Sequence, residues 1–229
     1  MCTVVVSVPD RPGLPTRLLA VRDEHPDRPW RPMGAWWPEH PEVQGVQDVQ
    51  AGGAWLATSA PAGRLAVLLN VEGVAPHPGL VSRGRIVLDA VNGTLPTGEH
   101  PTQAYSLLVV TGHRTRHFVY DGNVLHDNEL TPGVHMLVNS AVVDDPGFAR
   151  VPRWLPRFRD SVDGFPESWQ QVLAESARLP AVDDAAIIRD NRPYGYPTLS
   201  LLAVFAEVTD GRVDTQSLEF PAPGQFYGD

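Results

Sequence analysis

The chain has 229 residues and a net charge of −9, and all 18 of its basic side chains are arginine. An acidic chain lacks the basic surface that binds nucleic acid, and the absence of lysine excludes Schiff-base and Walker-lysine chemistry. One cysteine cannot form an internal disulfide, and the longest apolar runs are far shorter than the roughly 18 residues of a membrane span. With no signal-peptide pattern at the N-terminus, we expect one cytoplasmic domain over residues 1–229.

The first eight residues combine the single cysteine with a β-branched run. Residues 3–8, Thr-Val-Val-Val-Ser-Val, predict a strand. If Met1 is removed, Cys2 carries a free α-amine, whose ordinary pKa of about 7.7–8.0 lets it act as base for its own thiol. We therefore expect a nucleophile at the mouth of a strand, with a depressed thiol pKa. The alternative is that Cys2 is a small buried apolar residue.

The next part of the chain predicts two hairpins separated by an irregular segment. Residues 17–21 form a strand that ends in the charged cluster 22–24 and pairs with the first strand. Residues 25–50 are rich in proline, which predicts an irregular excursion. Residues 52–58 and 64–70 are two more strands joined by a Pro-Ala-Gly turn.

The remainder predicts helices between further hairpins. The expected elements are a helix over 82–91, strands over 105–110, 116–120 and 133–139, helices over 152–162 and 166–179, and a closing hairpin of 199–208 with 212–220. Hairpins followed by helices and then by more strands indicate a layered α+β domain.

Polar side chains follow several of these strands. They are Cys2, the Arg22-Asp23-Glu24 cluster, Asn70 and Asn139. A cysteine that cleaves an amide needs a base, a carboxylate to hold the ammonium or thiol, and neutral donors for the oxyanion, which asparagine can supply. The chain offers a candidate for each of these roles.

Other groups have a simpler interpretation. His113 and His117 lack a third ligand at a recognisable spacing, so we expect no metal site. The acidic pairs at 144–145 and 183–184 fall in polar turns and are expected to be solvated. The tryptophan pair at 36–37 could stack on a flat ligand, although core packing is the more frequent role. No cofactor is expected from these residues.

Five short motifs in a fixed order resemble those of the NRDE family, also called the transport and Golgi organisation protein 2 family. The motifs are residues 1–3, 21–24, 52–56, 82–84 and 131–139. The resemblance implies an N-terminal-nucleophile (Ntn) hydrolase-like fold: a four-layer αββα sandwich of two antiparallel sheets between helical layers, with Cys2 as the nucleophile.

More distantly, Cys2, Asp23, Asn70 and Asn139 are similar to the nucleophile, aspartate and two asparagines of choloylglycine hydrolases and penicillin V acylases. The chain departs from these patterns at two places. Val21 stands where the NRDE motif has asparagine. A late arginine is also missing, which leaves Arg22, or less favourably Arg192, to supply positive charge.

The resemblance implies a hydrolase that acts on a non-peptide C–N bond, a linear amide of a small molecule. The alternative that it implies is a non-catalytic carrier in haem or lipid handling, with haem as the carried ligand. Cys2 is followed by Thr3 and not by the proline typical of regulatory haem sites. Substrate identity and oligomeric state do not follow from the sequence.

Overall fold

The computed structural model describes residues 2–71, 79–98 and 101–227. Within these ranges the chain forms two antiparallel sheets and three α-helices. The strands are β1 (Thr3–Val8), β2 (Thr16–Glu24), β3 (Trp30–Gly34), β4 (Val43–Asp48), β5 (Ala54–Ser59), β6 (Arg64–Asn70), β7 (Tyr105–Thr111), β8 (Arg114–Tyr120), β9 (Leu125–Glu129), β10 (Gly133–Leu137), β11 (Leu199–Thr209) and β12 (Arg212–Glu219). The helices are α1 (Gly84–Val91), α2 (Arg150–Asp160) and α3 (Glu167–Ser176).

The two sheets differ in the order of their strands along the chain. The smaller sheet has the order β10-β1-β2-β11-β12, so its strands come from the start, middle and end of the described chain. The larger sheet has the sequential order β3-β4-β5-β6-β7-β8-β9. The N-terminal strand β1 is therefore an inner strand, hydrogen-bonded on both sides by β10 and β2.

Alternating side chains of β1 explain its inner position. Val4 and Val6 point into the core between the two sheets, whereas Val5 packs on the opposite face with α2 and α3. A strand that is covered on both faces reads as a continuous apolar run, because both sets of alternating side chains are buried. The start of the chain is thus anchored in the sheet.

Helices cover the outer faces of both sheets. On the smaller sheet, α2 buries Val151, Trp154, Leu155 and Phe158, which recur at helical spacing on one face. The larger sheet packs against α1. The order of layers is helix, sheet, sheet, helix, so the predicted four-layer αββα sandwich is confirmed. No helix among the described residues is both long and apolar enough to cross a membrane.

The sequence-based prediction was wrong at three strands. Residues 25–50 hold β3 and β4, and β9 follows the turn at 121–123, where no strand was expected. Both β3 and β9 are outer strands of the larger sheet. An edge strand tolerates Pro32, which lacks an N–H for the ladder, and the polar sequence of β9, because one side of each strand faces no partner.

The charged cluster at 22–24 lies at the end of the second strand, as expected. Arg22, Asp23 and Glu24 are the last three residues of β2. Asp23 pairs in register with Ser200 of β11. Because the cluster is held in the ladder, its side chains have fixed directions relative to Cys2.

Candidate active site

Cys2 lies at the start of β1, between the ends of its two neighbouring strands. Continuing the β1–β2 register by one residue places Cys2 opposite Arg22. Continuing the β1–β10 register by two residues places Cys2 opposite Asn139. Three predicted site residues are therefore neighbours across one end of the smaller sheet.

The thiol of Cys2 is partly buried and contacts the backbone of Asp23. Its Sγ accepts a hydrogen bond from the Asp23 N–H at 3.4 Å and lies 3.6 Å from the Asp23 carbonyl oxygen, to which the thiol donates. Burial raises the pKa of the Cys2 thiol, and the negative charge of Asp23 acts in the same direction. The expectation of a depressed pKa was therefore wrong, because the thiol is withdrawn from solvent.

The carboxylate of Asp23 is buried and held by neutral donors. Ser200 Oγ donates to Oδ1 at 2.5 Å, and Asn191 Nδ2 donates to Oδ2 at 3.0 Å. Ser200 Oγ in turn accepts the N–H of Arg189 at 2.8 Å. These hydrogen bonds fix the orientation of the Asp23 carboxylate.

Two buried arginines behind Asp23 were missed by the sequence-based reasoning. Arg189 is 1% exposed, and its Nε donates to Asn191 Oδ1 at 2.9 Å. Arg150 is equally buried and donates from Nη1 to Thr3 Oγ1 at 2.8 Å. Burial, together with the charge of Arg189, lowers the pKa of Arg150 to about 10.

Arg189, and not the substitute considered in the sequence, is linked to Asp23. Arg192, considered in the sequence as a substitute, lies on the surface and pairs with Asp190 at 2.6 Å. Arg189 instead reaches Asp23 through Asn191. The sequence signal that could have identified Arg189 is the polar run at 189–192. In this run Arg189 and Asn191 are buried, whereas the residues that alternate with them are more exposed.

A cleft of about 410 Å³ opens at this end of the sheets. Cys2 and Asn70 line it. Its charged lining consists of the arginines Arg22, Arg28 and Arg83 and the carboxylates Asp23, Glu24 and Asp48. This volume suits a small molecule.

Most of these charges are paired across the cleft. Arg28 donates to Asp48 Oδ2 at 2.7 Å, and its Nε lies 3.9 Å from Glu24 Oε2. Arg22 Nη2 lies 3.4 Å from the same Glu24 oxygen, and the Arg22 side chain is only 2% exposed. Burial lowers the pKa of Arg22, while Glu24 opposes that shift.

Two glycines bring two of the family-like motifs together at the cleft. A Cβ built on Gly53 would lie 2.4 Å from the carbonyl carbon of Gly84, which no real contact allows. The start of β5 therefore touches the start of α1 backbone to backbone. As a result Trp55 and Arg83, which follow and precede these glycines, line the same cleft.

The two asparagines differ in position. Asn70 ends β6, is exposed and lines the cleft. Asn139 is buried and is not among the lining residues, and its Oδ1 has no hydrogen-bond partner in the described part of the chain. The cleft thus brings together four of the predicted site residues: Cys2, Arg22, Asp23 and Asn70. Asn139 follows β10 and lies opposite Cys2 when the register is continued.

The other candidate groups serve the scaffold. His117 is buried on β8 and contacts Ser106 Oγ through Nε2 at 2.7 Å, and burial lowers its pKa to about 4. Within the described ranges no group of three or more His, Cys, Asp or Glu residues could hold a metal. Trp37 is buried in the core and donates from Nε1 to Gly52 O at 2.9 Å, which assigns it to packing.

A family model decides the classification of the chain. The model for Transport and Golgi organisation 2 matches residues 1–191. The chain belongs to this family. The family resemblance of the sequence motifs is therefore confirmed. In the Transport and Golgi organisation 2 chain described here, four of the five motifs line one cleft, and the motif at 131–139 does not. No curated protein matches the chain.

Proposed function

We propose that this protein is a cysteine N-terminal-nucleophile hydrolase that cleaves a linear amide of a small molecule after Met1 has been removed. The observation that carries this proposal is the position of Cys2 in the cleft, with the buried carboxylate of Asp23 on the neighbouring strand end. Removal of Met1 exposes an α-amine on Cys2 that Asp23 can hold. The thiol and its base then belong to one residue.

The reaction proceeds in two stages. The α-amine of Cys2 takes the thiol proton, and Sγ attacks the amide carbonyl carbon to form a tetrahedral intermediate. The C–N bond breaks, the departing amine takes the proton, and the acyl group remains on Sγ as a thioester. Water, deprotonated by the α-amine, then attacks the thioester and releases a carboxylic acid and the free thiol.

The raised thiol pKa is compatible with this sequence of steps. A buried thiol stays protonated at rest, so that a base must remove its proton during attack. The N–H of Asp23, which already points at Sγ from 3.4 Å, stabilises the thiolate as it forms. Asp23 orients the amine, and its charge favours the ammonium that the proton transfer creates.

Asn70 and Asn139 are the proposed oxyanion donors. Asn70 lines the cleft from the larger sheet, and Asn139 lies opposite Cys2 on the side of β10. Removal of one oxyanion donor commonly lowers kcat by about 10²–10³-fold. Arg22 contributes positive charge next to the thiol, since its charge lowers the thiol pKa against the effect of burial.

The test combines intact mass with turnover. Protein from its native host should lack the mass of Met1 and release p-nitroaniline from at least one of the acetyl, butyryl, glutaryl and phenylacetyl p-nitroanilides. Cys2→Ala should reduce the release to the uncatalysed background, whereas Ser106→Ala, in the scaffold, should retain it. A chain that keeps Met1 would overturn the proposal.

A further inference from the structure

Two buried hydrogen-bond donors at the cleft have no acceptor among the residues that the structure describes. They are Nη1 of Arg22 and Nε1 of Trp55. Their residues are 2% and 8% exposed, and both line the cleft that contains Cys2. Buried donors are rarely left without an acceptor, because the hydrogen bond to water that they lose on burial is then not replaced. Two such donors at one cleft indicate a place for the oxygen atoms of a ligand.

Arg83 adds an unneutralised charge to the same cleft. Its Nη1 donates to the Ala104 carbonyl oxygen at 2.7 Å, and the described residues provide it with no carboxylate partner. Arg28 is neutralised by Asp48, and Glu24 lies against Arg22. Burial also lowers the pKa of Arg83, so its charged form gains from an anion nearby. Among the three arginines of the cleft, Arg83 is therefore the one that the described residues leave without a carboxylate partner.

We propose that the ligand of this cleft carries a carboxylate, bound by Arg22 Nη1, Trp55 Nε1 and the guanidinium of Arg83. A carboxylate has one negative charge, which matches the single unpaired arginine, and its two oxygens accept several charge-assisted hydrogen bonds. The close approach of Gly53 and Gly84 is what brings Trp55 and Arg83 to the same wall. This inference rests on the proposed function in one respect: the reacting amide of the substrate lies next to its carboxylate.

Two alkylating reagents of nearly equal size test the inference without any turnover. Iodoacetate carries a carboxylate, and iodoacetamide carries a neutral amide in its place. The rate ratio of iodoacetate to iodoacetamide at Cys2, divided by the same ratio for a cysteine peptide, should exceed one in the native protein. A change in the fraction of thiolate alters both rates by the same factor, so it cancels in this ratio.

Matched variants assign the effect to the named residues. Arg83→Gln should lower the normalised ratio about tenfold, which corresponds to one charge-assisted hydrogen bond. Arg85→Gln, only two residues further along the chain but 83% exposed and outside the cleft lining, should leave the ratio unchanged. Trp55→Phe keeps an aromatic side chain but removes the indole N–H, so it should also lower the ratio. Because the phenyl ring is smaller than the indole, thermal melting checks that the variant is folded.

The outcomes separate the two proposals. A normalised ratio of one or less in the native protein, with iodoacetamide still reacting, would overturn the carboxylate site and leave the nucleophile in place. A high ratio that neither Arg83→Gln nor Trp55→Phe lowers would overturn the assignment to these residues. Failure of both reagents to label native protein would overturn the carboxylate site and the nucleophile together.

Discussion

Asn191 donates from Nδ2 to Asp23 Oδ2 at 3.0 Å, although 168 positions separate the two residues in the chain. Its Oδ1 simultaneously accepts from Arg189 Nε at 2.9 Å. One amide therefore connects the carboxylate beside Cys2 to a buried arginine. Ser200 reaches the other carboxylate oxygen because the register of β11 against β2 shifts between Ser200 and Leu202.

Replacing Asp23 with Asn should separate catalysis from folding. Ser200 Oγ has a second acceptor, Ile187 O at 3.5 Å, so it can accept from the new amide, and the fold should survive. The variant loses the charge that holds the Cys2 ammonium, and p-nitroaniline release should fall by about 10²–10⁴-fold. Asp214→Asn, on the exposed strand β12, is the matched control. Unfolding of Asp23→Asn with unchanged labelling of Cys2 in its folded fraction would make Asp23 purely structural.

Ser200→Ala and Ser106→Ala should have equal effects on stability but different effects on activity. Both serines are 0% exposed and hydrogen-bonded through Oγ, Ser200 to Asp23 and Ser106 to His117. Each substitution should lower the free energy of unfolding by about 1–3 kcal/mol in urea titrations. Only Ser200→Ala should also reduce p-nitroaniline release. Equal activity in the two variants would contradict a role for Ser200 in positioning Asp23.

The pH dependence of alkylation should reveal the buried state of the thiol. Because burial raises the pKa of Cys2, the fraction of thiolate at pH 7 is smaller than in a free cysteine. Iodoacetamide should therefore label native protein more slowly than a cysteine peptide at pH 7, and the rate should continue to rise above the ordinary thiol pKa of about 8.5. Native labelling that is already faster than the peptide at pH 7 would show that the thiolate is stabilised.

His135 should make the stability of the protein depend on pH. Its Nδ1 lies 3.0 Å from Asp144 Oδ2 and its Nε2 lies 2.9 Å from Thr131 O, so both nitrogens can donate when the ring is charged. The hydrogen bond to Asp144 raises the pKa of His135 above its ordinary value of about 6.5.

The sign of the linkage follows from that raised pKa. The stabilisation is fully present below the ordinary histidine pKa and is lost as the pH rises through the raised pKa of the folded state. Urea titrations of the wild-type protein should show this loss, and His135→Gln should remove it. His126→Gln, on the exposed strand β9, is the control. A pH profile that is the same in wild-type protein and His135→Gln would contradict the prediction.

The local pattern of the chain was sufficient for much of the fold. The β-branched run of β1, the turn before β6 and the helical spacing of α2 each bury one set of side chains, and such periodicity is visible within a short window of sequence. The family-like motifs indicated the order of the layers and contained Cys2 and Asp23, and the more distant similarity to choloylglycine hydrolases added Asn70. All three residues line the cleft. The outer strands β3 and β9 were missed because an edge strand needs neither alternation nor a complete set of N–H groups.

What only the tertiary structure decided is the environment of those residues. Arg189, Asn191 and Ser200 reach Asp23 from the far end of the chain, because β11 lies beside β2 in the smaller sheet. The direction of the thiol pKa depends on how much protein surrounds Sγ, which no spacing in the sequence encodes. Whether the donors of Arg22 and Trp55 find an acceptor likewise depends on which residues surround them in the folded chain. Burial and long-range hydrogen bonds arise only when the sheets are assembled. The sequence therefore identified the chemical groups of the site, and the packing determined their pKa shifts and their hydrogen-bond partners.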